Sequence, residues 1–157
     1  MSVIGKRTIF VGPADDANHK PLNVEGKALA ADILPGMAVE STATGLQKNA
    51  TAATEFSHLL LVADKDQMRS KSVDDLWTLN ENMVAIQPRS GEFINVLVVD
   101  GNNITVNDTP MTVNGAGKFK IAVTPATVGV TSEQVLAFAD EIINVSGADA
   151  LVRVRIA

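Results

Sequence analysis

The sequence predicts an all-β chain built as a compact barrel or small sandwich, and three observations carry that prediction. From Met83 onward, short apolar runs are separated by Gly- and Asn-containing turns every ~8–12 residues, the spacing of a sandwich or barrel and not of strands alternating with helices. Within those runs the apolar residues recur with a period of two, as they do on a pleated strand. The composition is rich in Val, Thr, Ala and Asn, and only 20% of residues are charged, a mix suited to strands joined by tight turns.

The elements follow in chain order. Residues 1–26 hold one short apolar piece, Thr8 to Pro13, and then a polar stretch broken by Pro21 and Gly26. This reads as an extended N-terminal arm ahead of a β-rich domain at 27–157, with an edge strand and loop as the other reading. Leu34-Pro35-Gly36-Met37 places Pro and Gly at the centre of a β-turn, where Pro presets φ and Gly accepts a positive φ. A strand resumes at Met37, and Thr44-Gly45 turns again. Phe56 to Asp64 is a continuous apolar run, as in a strand buried on both faces. Ser72 is placed to cap a short helical turn through Trp77, with Asp74 and Asp75 in its first turn.

From Met83 the reading is firmer. MVAIQP is a strand closed by Pro88, and Ser90-Gly91 turns. In Phe93 to Val99 both faces are largely apolar, so this strand is covered on both sides or packed against a partner subunit. Asp100-Gly101 and Asn114-Gly115 read as hairpin turns. Val135 to Asn144 is ambiguous, because its apolar residues fit a helical stripe slightly better than an alternating strand. The last run, Ala150 to Ala157, alternates cleanly, with Arg153 and Arg155 on one face and Val152, Val154 and Ile156 on the other.

Composition narrows the function classes. The 157 residues suffice for one domain with its own core. The chain has no cysteine, which removes disulfides, thiolate metal sites and cysteine nucleophiles. Its net charge is −5 and its basic residues are scattered, so a nucleic-acid face is not expected. The longest apolar run, Leu59 to Ala63, is far short of the ~20 residues of a membrane helix. The opening MSVIGKRTIFVG lacks the apolar core of a signal peptide. The Asn-x-Ser/Thr sequences at Asn49, Asn103, Asn107 and Asn144 are accordingly read as turn chemistry.

Catalytic chemistry finds little footing. His19 and His58 are the only histidines and read as surface or turn residues. Ser57 and His58 are strand neighbours that point apart, so they do not form a nucleophile–base pair. The acidic pairs Asp15-Asp16 and Asp74-Asp75 read as loop solvation and capping, not as a carboxyl pair across a cleft. Asp100, Asn102, Asn103, Asn107 and Asp108 lack the alternate spacing of a calcium loop. No catalytic, metal or cofactor residues are therefore expected, and the chain reads as a non-enzymatic interaction protein. Trp77, with no Tyr in the chain, makes a poor sugar-binding platform.

Four segments, in order, resemble a family. They are LPGMAVESTATGLQKNATA, then LLLVADKDQMRSKSVDDLWTLNENMVAIQP, then GEFINVLVVDGNNITVNDTPMTVNGAGKFKIA, and last VLAFADEIINVSGADALVRVRIA. Together they span Leu34 to Ala157 and resemble the capsid decoration, or cement, proteins of tailed bacteriophages. The chain departs from that pattern at Asn80 to Asn82, at Asn107-Asp108, and in having no tyrosine near Trp77.

The resemblance implies a β-barrel or β-tulip-like domain. It implies binding to the outer surface of an assembled head after synthesis in the host cytoplasm. There the protein would bridge major capsid protein subunits, as a homo-trimer. It also implies that Val135 to Val145 is strand. On that reading Thr8, Ile9, Phe10 and Val11 form a strand added to a capsid sheet edge, ended by Pro13, with Leu22 further along the arm. Trp77, Phe93, Val152, Arg153 and Arg155 are the candidates for intersubunit packing, Trp77 having a core role as its alternative. Another virion β-domain, of tail or baseplate, is the first rival, and a carbohydrate-binding sandwich the second.

Overall fold

The structure, a computed structural model, describes residues 6–12, 21–56, 58–123 and 131–157. The described residues are all-β, with no helix. The strands are β1 (Phe10–Gly12), β2 (Leu22–Lys27), β3 (Ala38–Ser41), β4 (Leu46–Lys48), β5 (Leu61–Ala63), β6 (Asn82–Gln87) and β7 (Phe93–Val98). They continue as β8 (Asn103–Ile104), β9 (Pro110–Val113), β10 (Phe119–Ile121), β11 (Ala137–Ala139), β12 (Ile143–Asn144) and β13 (Ala150–Ile156).

The C-terminal half closes into a five-stranded barrel. Its strands run β7-β10-β9-β11-β13, and β13 pairs back onto β7. That closing pair is the longest in the barrel, antiparallel from Ala150↔Val98 to Arg155↔Phe93. Alternation explains the interior. Ile94, Val96 and Val98 of β7 and Val152, Val154 and Ile156 of β13 all enter one core, with Met111, Val113, Phe119, Ala137 and Ala139. Arg153 and Arg155 consequently point outward. Closure leaves the barrel few free strand edges, the groups through which β proteins aggregate.

The open side of β7 is finished by three separate segments. The Asn95 amide donates to Ile9 O at 2.8 Å, the Leu97 amide to Gly36 O at 2.8 Å, and the Val99 amide to Phe119 O at 2.9 Å. The middle partner is the predicted Pro-Gly turn. Gly36 has φ of 87°, and Met37 N donates to Leu34 O at 3.2 Å, as a type II turn requires. A Cβ on Gly36 would stand 2.5 Å from Leu151 Cδ2, so glycine is required by space as well as by conformation.

The second sheet is antiparallel, in the order β2-β6-β5-β3-β4. Its two edges meet where Ala28 bridges Leu46 and Leu29 N donates to Leu46 O at 2.9 Å. Its inner face packs Val39, Leu46, Leu61, Ala63, Met83 and Ala85 around Trp77 and Ile33. The opposite face sends Ala38, Val62 and Ile86 into the barrel's own core. The apolar run at β5 is therefore buried on both faces, as its sequence predicts, although the strand itself is only Leu61–Ala63.

Two expectations are corrected, at Asp100-Gly101 and at Ser72. In the N-terminal region the described residues, 6–12 and 21–26, follow the edge-strand reading. β1 pairs with β7, β2 pairs with β6 from Leu22↔Gln87 to Lys27↔Asn82, and Ile9 is fully buried. Gly26 misled the reading, because it lies inside β2, where a Cβ would come within 3.0 Å of Leu46 Cγ; it makes room instead of breaking the strand.

Asp100-Gly101 does not join two paired strands. After it, β8 pairs with β12, so the turn is a corner at which the chain leaves β7. Ser72 starts no helix; its hydroxyl accepts from Asp74 N at 3.1 Å and its amide donates to Asp75 Oδ2 at 2.6 Å, which closes a turn. The helical spacing of Val135 to Asn144 resolves as two strands, β11 and β12, as the family resemblance implied. Ala137 and Ala139 face inward, and β11 hydrogen-bonds on both sides, to β13 and to β9.

Candidate functional site

Of the residues assigned to a capsid-binding strand, Ile9 and Phe10 turn inward. Ile9 belongs to the barrel core and Phe10 packs against it. Thr8 is exposed, and its carbonyl accepts from Asn95 Nδ2 at 2.7 Å. One edge of this segment is thus paired inside the chain, to β7, and β1 stands at the end of the sheet order. Val11 and Leu22 keep exposed apolar surface, at 39% and 43%. Pro13 lies outside the described residues, as do Asp15, Asp16 and His19.

The intersubunit candidates divide. Trp77 is buried at 3% and its Nε1 donates to Asp64 O at 2.8 Å, so it takes the core role. Val152 is fully buried inside the barrel and offers nothing to a partner, because it sits on the inward parity of β13. Phe93, Arg153 and Arg155 occupy the outward parity.

Register places a continuous row on that outer face. Phe93 of β7 stands opposite Arg155 of β13, Arg155 opposite Phe138 of β11, and Phe138 opposite Pro110 of β9. Directly opposed residues share a face, so the four side chains cross four strands side by side. All four are partly exposed. The Arg155 guanidinium sits 5.4 Å from the Phe138 ring centroid and 2.9 Å from Asp108. Beside it, Arg153 pairs with Asp140 at 2.6 Å. Arg and aromatic side chains are enriched where proteins meet. Phe138 was absent from the candidates because its helical spacing hid its partners; the clean alternation of β13 was the signal that could have found the row.

A polar cluster gathers where β3 and β4 leave the second sheet. Glu40 and Gln47 are directly opposed, and Gln47 Nε2 donates to Glu40 Oε1 at 2.5 Å. The other carboxylate oxygen, Oε2, accepts from Asn49 Nδ2 at 3.4 Å and Thr51 Oγ1 at 3.3 Å, and lies 3.6 Å from His58 Nε2. Asn49 Nδ2 also reaches His58 Nε2 at 3.1 Å, and Phe56 stacks on the imidazole with centroids 4.3 Å apart. A pocket of 390 Å³ opens beside the cluster, lined by Val24, Glu40, Ser41, His58, Leu59, Leu61 and Gln87. His58 is thus held in a network and is not a plain turn residue. Among the described residues no three or more His, Cys, Asp or Glu side chains converge.

The segment between β5 and β6 holds the most exposed apolar side chain of the chain's described part, Met68 at 96%. Hydrogen bonds stiffen this segment: Arg69 N donates to Asp66 Oδ1 at 3.2 Å and Gln67 Nε2 to Asp64 Oδ2 at 3.0 Å, and Arg69 pairs with Glu81. Burial pushes the Asp64 carboxyl up from its ordinary value, against the opposing pull of the Lys65 amide and Gln67.

No protein-family model matches the chain, and no curated protein sequence matches it.

Proposed function

We propose that this chain is a structural, non-enzymatic virion protein that decorates the outer surface of an assembled tailed-phage head and stabilises it by bridging major capsid protein subunits. The observation that carries this reading is the row Phe93–Arg155–Phe138–Pro110, an outward Arg and aromatic strip on an otherwise closed barrel. Such a strip suits protein contact and lacks the concavity of a substrate site. The ordered resemblance of the four segments from Leu34 to Ala157 supports the phage assignment. In this reading the chain self-associates through the row as a homo-trimer, and the exposed apolar residues Val11, Leu22 and Met68 meet the shell.

Cementing works by mass action. A protein that binds the assembled shell and not free subunits lowers the free energy of the shell at every occupied site. The direct test is co-sedimentation of the purified chain with undecorated tailed-phage heads. Saturable binding that raises the heat tolerance of the heads is the expected result. Absence of binding at a large excess of chain would reject the reading.

A further inference from the structure

We infer that the pocket at the open end of the second sheet receives an arginine side chain from a protein partner. Parity identifies the pocket. Leu61 belongs to the inner core of the second sheet, and Val24 packs against that core. Ser41 stands two residues from Val39 on β3, and Gln87 two residues from Ala85 on β6, so both share the inner face. The 390 Å³ pocket that these four residues line, with Glu40, His58 and Leu59, is therefore where the inner face opens to solvent. Its volume falls in the range of protein ligand sites.

Charge is the first argument. The Glu40 side chain is 16% exposed, and its one ionic neighbour among the described residues is His58. Carboxylates hidden to a similar degree are paired otherwise: Glu133 with Lys120, Glu81 with Arg69, Asp149 with Lys118 and Glu141 with Lys6. Its hydrogen bonds leave capacity for such a cation. An ionised carboxylate offers about four lone-pair sites. Oε1 spends one of them on Gln47. Oε2 meets Thr51 at 3.3 Å and Asn49 at 3.4 Å, both longer than the ~2.5–2.9 Å of charge-assisted bonds. The neutral network orients Glu40 without neutralising it, and a charge withdrawn from water is best held by an opposite charge.

Apolar surface is the second argument. Val24 and Leu61 line the pocket, and Leu59 beside them is 66% exposed. Leu22, directly opposite Gln87, leaves 43% of its surface uncovered. A ligand that suits both features carries its charge at the end of an apolar stem. Arginine fits better than lysine. Its planar guanidinium presents five N–H donors, so one edge meets Glu40 while the others face the Ser41 hydroxyl and the Gln87 amide oxygen. The methylene stem covers Val24 and Leu59. Arginine is also a common anchor where proteins meet. The pocket shares no residue with the outer row of the barrel, so this contact is separate from the self-association proposed above.

The test is an NMR titration of the isotope-labelled full-length chain with Nα-acetyl-arginine amide at about pH 7.5, where carboxylates are ionised. Saturable shifts are expected at the amides of Glu40, Ser41, His58, Leu59 and Gln87, with half-saturation at about 1 mM, as suits a ligand of this size. Nα-acetyl-citrulline amide, the neutral isostere, binds at least about 10-fold more weakly, because it loses the charge-assisted bond to Glu40. Nα-acetyl-norleucine amide, which keeps only the stem, is weaker still. Glu40→Gln reduces affinity for the arginine probe at least about 10-fold, and Leu59→Ala at least about 4-fold, the worth of one covered methylene. Unmoved amides outside the pocket show that each variant is folded. The citrulline and norleucine comparisons use the parent chain, so they stand even if Glu40→Gln fails to fold. Absence of saturable shifts at the pocket by about 20 mM probe, equal binding of the citrulline or norleucine probe, or unchanged affinity in folded Glu40→Gln overturns the inference.

Discussion

The barrel and the second sheet are both rings of short strands, yet they bury their residues differently. In the barrel one face of each strand fills the interior, and the other face meets solvent or its own chain. Val152, Val154 and Ile156 go in while Arg153 and Arg155 stay out. In the second sheet β3, β5 and β6 are covered twice, with Val39, Leu61 and Met83 around Trp77 and Ala38, Val62 and Ile86 facing the barrel. The barrel thus retains an outer surface for contact, while much of the second sheet is enclosed. The difference teaches that the two rings are one cooperative body with an uneven division of labour.

Core truncation tests that unity with the largest effects. Phe119→Ala in the barrel and Trp77→Ala in the second sheet should each cost about 3–5 kcal/mol. Each should shift a single denaturant transition, because the shared core makes the halves unfold together. Two separated transitions in either variant would divide the molecule in two. Ile9→Ala comes next, at about 2–5 kcal/mol, since Ile9 is a core residue of the barrel; a loss under about 0.5 kcal/mol would restore the free arm. Gly36→Ala should cost about 2–3 kcal/mol, by forcing a side chain into positive φ and against Leu151. Chemical denaturation measures both.

A smaller effect sharpens the comparison at the junction. Burial raises the Asp64 carboxyl in the folded chain, so over the window above its ordinary value the native state holds more proton than the unfolded one. Stability contributed by this group is then present at low pH and lost as pH rises through the raised folded value. The stability of Asp64→Asn relative to the parent should therefore increase from about pH 4 to about pH 7. A flat difference across that range would contradict the burial of this carboxylate.

The parts of the fold that could be read in advance share a physical cause: they depend on neighbours close in sequence. The alternation of β13 follows from strand geometry alone, and the Pro35-Gly36 turn from backbone preference. What lay beyond reach depends on long-range partners. Nothing local says that Gly36 will seat against Leu97 and Leu151, or that Gly26 leaves space for Leu46. Asp100-Gly101 carries a hairpin signal, but β7 finds its partners in β13 and β10, so the turn becomes a corner.

The candidate surface divides in the same way. Arg153, Arg155 and Phe93 were legible from their parity, and Val152 was misassigned although that parity already put it on the inner face. Phe138 needed the pairing of β11 with β13. The Glu40–Gln47 pair follows from the turn at Thr44-Gly45, whereas His58 joins it only because the chain after β4 folds back.

The central claim is that the outer row of the barrel is the working surface of a closed body. The most direct measurement is the solution mass of the parent and of a Phe138→Ala, Arg155→Ala variant by light scattering at high concentration. Exposed ion pairs contribute at most about 1 kcal/mol each, so the variant should keep its fold. The account predicts a trimeric parent and a folded monomeric variant. A monomeric parent, or a variant whose mass equals that of the trimeric parent, would contradict it.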